Sequence, residues 1–335
     1  MKKVEELFSY EILLRAFTIA FKGRKKTYEV IRYQFELEKN LCNLHLRLCS
    51  FTYTHSNYST FIVNDSKKRV IHAPCFEDHI VHHCIYEYLE HIFEPYFIFH
   101  SYANRKGKGT HRAVLCLKKA SVRFRYFLKM DISKYFDSIS QDILLKLIEK
   151  KVSSDDALWY IRKIVYSFNA SKSSCKRGIP IGAVTSQLFA NIYLHELDRY
   201  IEHHIKVMLR RRGEDLFYIR YVDDFILLGS SKKSLLEVQE MVLQFLEERL
   251  ELRVHPSKRV LNSIKSGIPF LGYVIYNNRL KVRNDTLRRF KRKVKRYADD
   301  EEKKFHSLMS FKGHICITNT KLLSSLESSL LIVKR

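Results

Sequence analysis

Asp223 and Asp224 stand side by side in Phe217-Tyr-Ile-Arg-Tyr-Val-Asp-Asp-Phe-Ile-Leu-Leu-Gly229, a run otherwise made of strand-forming, mostly apolar residues. Two adjacent carboxylates in such a run are strongly unfavourable to bury unless a cation compensates them. The economical reading is a β-hairpin that carries the pair at its turn, where Asp is an ordinary residue, and presents it to a divalent metal. A second segment far upstream strengthens that reading. Tyr126-Phe-Leu-Lys-Met-Asp-Ile-Ser-Lys-Tyr-Phe-Asp-Ser-Ile139 reads as an apolar strand that delivers Asp131 at its end, followed by a short turn and Phe136. Hard divalent cations take oxygen ligands. Two of them roughly 3.5–4 Å apart can activate an attacking hydroxyl and hold the leaving group of an in-line displacement. Asp131, Asp223 and Asp224 at the ends of neighbouring strands therefore suit two-metal phosphoryl transfer. A strand-end Asp that caps the next segment is the plainer alternative for Asp131, and for Asp137 it is the preferred one.

The elements that must hold these residues follow from periodicity. Residues 1–50 read as two basic, Leu/Phe-rich helices, and Phe76 to Phe93 as a third. His79, His82 and His83 on the latter have a spacing that could bind zinc. No carboxylate or thiolate stands at a matching position, so an ordinary helix face is the simpler reading. Helices are expected over about 141–151 and 155–168. A Gly/Pro turn at 178–182 should open a long helix running to about Met208, and a hairpin is expected at 216–229. From Ser234 to Leu250, Leu235, Val238, Val242, Phe245, Leu246 and Leu250 form a helical stripe. Short strands follow near 258–264 and 269–276.

Lys and Arg number 60 against 36 Asp and Glu, a formal charge of +24 in 335 residues, and aromatics make up 13%. So large an excess points to a polyanion partner, nucleic acid rather than a membrane. The excess peaks between Arg279 and Arg296, where ten of eighteen residues are basic and one is acidic, interleaved with Leu280, Val282, Leu287, Phe290 and Val294. That pattern predicts a strand and an amphipathic helix whose Arg288, Arg289, Arg292, Lys293 and Arg296 follow a phosphate backbone; a merely solvated face is the bland alternative. Seven cysteines without C-x-x-C pairing suit free thiols in a reducing compartment. No apolar run approaches a membrane span and the N-terminus lacks an apolar signal core, so a cytoplasmic protein is expected. Ten Gly and five Pro leave no long flexible linker.

In this order the motifs resemble those of the reverse transcriptases, over most of the chain. Tyr221-Val-Asp-Asp224 is similar to that family's Tyr-X-Asp-Asp box, and Asp131 stands where its first catalytic Asp stands. Gly178-Ile-Pro-Ile-Gly-Ala-Val-Thr-Ser-Gln-Leu-Phe-Ala-Asn-Ile-Tyr-Leu194 resembles the third core motif. Ser101–Arg112 and Arg69–Pro74 resemble the fingers motifs; Leu252–Lys258 and Ile268–Tyr273 resemble the last two palm motifs. The resemblance implies an α+β right-hand polymerase fold. Fingers and N-terminal helices would span 1–125 (with about 140–180), the palm 126–278 and a basic helical thumb 279–335.

It also implies roles. Asp131, Asp223 and Asp224, helped by the Ile132 carbonyl, would hold two Mg²⁺ ions, with Asp223 the more demanding of the adjacent pair. Lys258 would be general acid to the pyrophosphate, with a surface lysine as its plain alternative. Phe136 would be the steric gate against a 2′-hydroxyl. Arg69 and Arg105, with Lys106 and Lys108 beside the latter, would clamp the triphosphate. Ile181, Gly182 and Gln187 would line the nucleotide site, though local capping is an equal account of Ser186 and Gln187. Phe270, Leu271 and Gly272 would grip the primer.

The third motif separates relatives further. Many bacterial members carry Gln before the second Gly and Ser-Pro after it, whereas this chain has Ile181 and Ser186-Gln187. That pattern, with the segment Phe311–Thr320, resembles reverse transcriptases of diversity-generating retroelements. The resemblance implies adenine-mutagenised copying of a template-repeat RNA into cDNA, with retroelement RNA and a pentameric accessory variability protein as partners. An intron-type or antiphage reverse transcriptase remains an alternative, although the stretch after Arg296 is short for a maturase or endonuclease region. So does a polymerase-like RNA-binding scaffold without activity.

Overall fold

The structure, a computed structural model, describes residues 3–24, 27–64, 68–168 and 176–318. Cys175, part of the expected fingers and the C-terminal part of the expected thumb lie outside the described residues. The N-terminal region holds four helices rather than the two expected: α1 (Val4–Leu7), α2 (Tyr10–Arg24), α3 (Tyr28–Phe35) and α4 (Leu37–Cys49). Thr27 and Glu36 interrupt the periodic pattern in backbone conformations outside the helix. A ribbon the sequence did not announce follows, β1 (Ser59–Asn64) against β2 (Lys68–Ala73), antiparallel and largely exposed.

Helix α5 (Phe76–Phe93) spans the expected range. Among its histidines, His82 is taken up by the packing. His82 is fully buried, with its Nδ1 on Thr185 Oγ1 at 2.7 Å and its Nε2 on His55 Nε2 at 2.9 Å. Burial, then the neighbouring His55, hold its pKa well below the ordinary value. Helix α6 (Thr110–Ser121) leads into the central sheet.

That sheet is antiparallel, in the order β4-β5-β3-β6: β3 (Tyr126–Asp131), β4 (Leu216–Tyr221), β5 (Asp224–Gly229) and β6 (Val260–Ser263). Alternation along the strands gives it two buried faces. Leu128, Met130, Tyr218, Phe225 and Leu227 join the large core that runs through the helices. Phe127, Ile219, Ile226 and Leu228 join a second core with α6 and a small three-stranded sheet. Three helices on the first side are α7 (Tyr135–Ser138), α8 (Gln141–Glu149) and α9 (Asp155–Tyr166). The long helix expected after the Gly/Pro turn is α10 (Val184–Tyr200), continued by a π turn (Ile201–Ile205) into α11 (Lys206–Arg211). Helix α12 (Lys232–Leu250) buries the expected stripe except for Phe245, which is half-buried, and Ser231 caps it by accepting from Ser234 N at 3.2 Å.

The segment 269–276 is not one strand. It is a tight hairpin, β7 (Ile268–Phe270) and β8 (Tyr273–Ile275), to which β9 (Leu280–Val282) adds. Leu271 and Gly272 both have positive φ (48° and 87°), the geometry of a two-residue hairpin turn, which breaks the apolar run. Helix α13 (Asn284–Arg296) packs Leu287, Phe290 and Val294 on α14 (Glu301–Ile315), with Phe290 stacked on Phe311 at 3.8 Å between ring centroids. No helix among the described residues is long and apolar enough to cross a membrane.

Candidate active site

The β4–β5 hairpin closes through two residues, Val222 and Asp223, with Tyr221 and Asp224 as the flanking pair. Val222 has φ +56°. A β-branched residue is a genuine outlier there, and holding one stores roughly 1–3 kcal/mol that the surroundings must supply. In β3, the register sets Asp131 directly across from Asp224. The three carboxylates named from the sequence thus meet at one end of the sheet's two inner strands, in the arrangement those two segments suggested.

Before any metal is considered, lysines meet their charge. Lys129 Nζ donates to Asp224 Oδ2 at 2.7 Å and to the Pro269 carbonyl at 2.9 Å; Lys258 Nζ pairs with Asp131 Oδ1. With Asp131 and Asp224 so engaged, no three His, Cys, Asp or Glu side chains among the described residues close into a ready-made ligand cluster. The compensation is incomplete. Asp224 Oδ1 is buried and has no hydrogen-bond partner. Burial raises the Asp224 pKa and Lys129 works against that rise. Asp223 has no lysine of its own. Burial, followed by repulsion from Asp131, pushes it up to about 6. An orphaned carboxylate oxygen beside mutually repelling acids is a donor set that fits a hard divalent cation.

The backbone adds an oxygen. Ser133 N donates to Arg253 O at 2.8 Å and His255 N to Asp131 O at 2.9 Å, flanking an isolated bridge between Ile132 and Val254. In such a pair the Ile132 carbonyl faces away from Val254.

Other expected site residues fall in different places. Phe136, on α7, is partly buried against the main core and its carbonyl accepts from Ile179 N at 2.9 Å. Ile181 is half-buried and its carbonyl takes the His72 N–H at 2.7 Å, which ties the β2 ribbon to the segment before α10. Gly182 beside it has φ +128°, and a Cβ there would lie 2.8 Å from Ile71 Cγ2 and 2.9 Å from the His72 carbonyl oxygen. Gly182→Ala should therefore loosen that junction by about 1–3 kcal/mol. Denaturant unfolding checks this; a change under about 0.5 kcal/mol, the scale of a neutral surface substitution, contradicts it. Gln187 is exposed on α10 and lines a groove with Tyr86, Asn104 and Lys106, to which none of the three carboxylates contributes.

Arg69 is exposed on the β1–β2 ribbon. Arg105 is tied into the fold. Its guanidinium is 7% exposed and is taken up by Glu94 (2.9 and 3.1 Å) and by the carbonyls of Ile98 (2.6 Å) and Ser101 (3.0 Å). Lys106 pairs with Glu90 at 2.8 Å, and Lys108 lies over the Phe99 ring. Phe270 is buried, and its turn is linked to the carboxylates through Lys129 and Pro269. On α13, Arg288, Arg292, Lys293 and Arg296 are exposed and Arg289 is half-exposed.

Two groups of residues escaped the sequence reading. Lys129 could have been found, since it stands two residues before Asp131 and so on the same strand face. A buried ion pair, Arg220 with Asp198, lies directly behind the turn. Arg220 Nε donates to Asp198 Oδ1 at 2.7 Å and Nη2 to Oδ2 at 2.6 Å; Nη1 reaches Asn191 Oδ1 (3.1 Å) and the Val222 carbonyl (3.2 Å). Both partners are fully buried. The signal was an arginine in an apolar strand, which demands a partner.

Comparison with known proteins agrees with this geometry. The chain is 27% identical to Protein YkfC of Escherichia coli (64% of this chain, 65% of that protein). It is 26% identical to the Group II intron-encoded protein LtrA of Lactococcus lactis (63% of this chain, 45% of that protein). It therefore spans less than two thirds of the length of either relative. Apo telomerase from Candida tropicalis shares the fold, at 14% identity, with TM-score 0.55 over 84% of this chain and 57% of that one. Residues 63–275 match the reverse transcriptase (RNA-dependent DNA polymerase) family, and with Asp131, Asp223 and Asp224 together at one end of the central sheet, the chain belongs to that family.

Proposed function

We propose that this chain is an RNA-directed DNA polymerase that extends a primer 3′-hydroxyl on an RNA template by two-metal phosphoryl transfer. The observation that carries the reading is the register of Asp131 with Asp224 around the Asp223 turn. Asp131, Asp223, Asp224 and the Ile132 carbonyl would hold two Mg²⁺ ions, which when bound supply activation of the hydroxyl and charge neutralisation at the pyrophosphate.

The chain's own groups do the rest. Lys129 and Lys258 hold carboxylate charge while the site is free of metal, and Lys258 gives a proton to the leaving group. Phe136 closes the space a 2′-hydroxyl would need. Arg69 on the exposed ribbon meets triphosphate, the Phe270–Gly272 turn supports the primer, and the exposed basic face of α13 follows the backbone. Cytoplasmic location and template RNA and cDNA as partners belong to the same reading.

Within the family, Ile181 with Ser186-Gln187 favours the diversity-generating retroelement class, with adenine-directed mutagenesis, retroelement RNA and a pentameric accessory variability protein. The likeness to an intron-encoded protein supports the intron-type reading as the second choice. An Ile side chain neither donates nor accepts a hydrogen bond, so at position 181 it removes a polar check on the nascent base pair. Ile181→Gln should lower misincorporation opposite template adenine in primer extension on RNA. An error spectrum identical to that of the parent, or one already accurate at adenine in the parent, rejects the mutagenic reading and favours the intron-type one.

A further inference from the structure

The strained turn at Val222 needs something to hold it, and the residues that do so lie outside the carboxylate site. We infer that Arg220, oriented by Asp198, is a positioning residue that keeps Asp223 in place by gripping the Val222 carbonyl. This rests on the polymerase reading for its kinetic arm only.

Asp198 takes two parallel N–H donors of Arg220, from Nε and Nη2. That fixes the plane of the guanidinium, as bidentate pairing does and a lysine cannot. The remaining terminal nitrogen, Nη1, then points at two acceptors, the Asn191 side chain and the Val222 carbonyl. Tyr218 donates to the same Asp198 oxygen at 2.7 Å, and Asn191 Nδ2 donates to Ala103 O at 2.9 Å. Each partner of the fork is thus itself tied to the scaffold.

Arg220 is also anchored by its backbone. Its N–H donates to His100 O at 3.0 Å and its carbonyl accepts from Tyr102 N at 3.0 Å, so the 100–102 segment covers the free edge of β4. The guanidinium therefore cannot drift. The peptide after Val222 leads directly into Asp223, so a donor fixed on that carbonyl sets the direction from which the Asp223 side chain leaves the turn. A buried ion pair serving stability alone has no need of a bond to the one left-handed residue in this hairpin.

Two substitutions separate positioning from bulk stability. Arg220→Lys keeps the buried charge beside Asp198 but cannot span both Asp198 and the carbonyl. Val222→Gly removes the penalty for positive φ, so the turn needs less holding. In metal-free protein, Arg220→Lys should speed amide hydrogen exchange at residues 222–224 selectively, with the sheet interior unchanged. In primer extension it should lower kcat by about 10²-fold with little change in nucleotide KM, the scale of a misplaced reacting group. Adding Val222→Gly should recover roughly tenfold of that loss. Should Arg220→Lys not fold, Tyr218→Phe, which removes one tie on Asp198 and leaves the ion pair whole, is read in the same way.

Exchange that rises across the whole sheet, or stays unchanged at 222–224, overturns the inference; so does absence of recovery in the double variant. If the parent chain adds no nucleotide at all, the polymerase reading fails while the exchange measurement still decides the role of Arg220.

Discussion

Asp223→Asn should abolish nucleotide addition and at the same time raise the melting temperature of the metal-free protein at pH 7. The two effects have one origin. Burial and the nearby Asp131 carboxylate push the Asp223 pKa from 3.8 to about 6, so the folded state prefers the neutral acid more than the unfolded chain does. That preference stabilises the fold fully below about pH 4 and is lost as the pH rises through about 6. At neutral pH the ionised carboxylate therefore disfavours the metal-free fold by up to about 3 kcal/mol, which is the shift expressed as energy. Asn removes the charge and that penalty with it. It also removes a ligand oxygen that carries charge, and activity should fall about 10³-fold or more, several kcal/mol of lost charge stabilisation. Melting curves between pH 4 and 8 without metal, with primer extension alongside, check both halves. An Asn variant less stable than its parent at pH 7, or one that retains a tenth of the activity, contradicts the account.

The second large effect concerns Asp198. Burial alone would lower the Arg220 pKa, but Asp198 outweighs it and lifts that pKa above the ordinary value, so the guanidinium stays charged in the core. Removing the partner leaves that charge buried and uncompensated, and leaves the Tyr218 hydroxyl without its acceptor. Asp198→Ala should cost about 3–5 kcal/mol, a large share of the roughly 5–15 kcal/mol that holds an ordinary chain folded. Denaturant unfolding measures it directly. A loss below about 1 kcal/mol would mean that water reaches the pair.

These results also show what the sequence could and could not convey. The hairpin at 216–229, the strand ending at Asp131 and helices α5, α8, α9 and α12 were legible because each carries a clean period of hydrophobicity. Pairing of Asp131 with the 223–224 turn was inferable from chemistry, since isolated acids in apolar strands must share a cation. The alternation that puts Lys129 on the Asp131 face was readable, but register is set by contacts between distant strands, so its partners Asp224 and Pro269 were not. Arg105 shows the opposite difficulty. An Arg in a Gly- and Lys-rich loop looks free for a phosphate, and only the folded chain reveals that Glu94 and two carbonyls take up its donors. The turn at Leu271-Gly272 was hidden because positive φ at Leu leaves no compositional trace.

The most direct test of the central claim is single-nucleotide incorporation on a DNA-primed RNA template across a Mg²⁺ titration, with the parent chain and Asp131→Asn side by side. Asp131 comes from a strand 92 residues upstream of Asp223 in sequence, so its requirement tests convergence rather than the hairpin alone. The account predicts Mg²⁺-dependent addition of a deoxynucleotide by the parent, and none by Asp131→Asn although that variant folds. Addition by Asp131→Asn at the parent's rate, or none by the parent at any Mg²⁺ concentration, would contradict it.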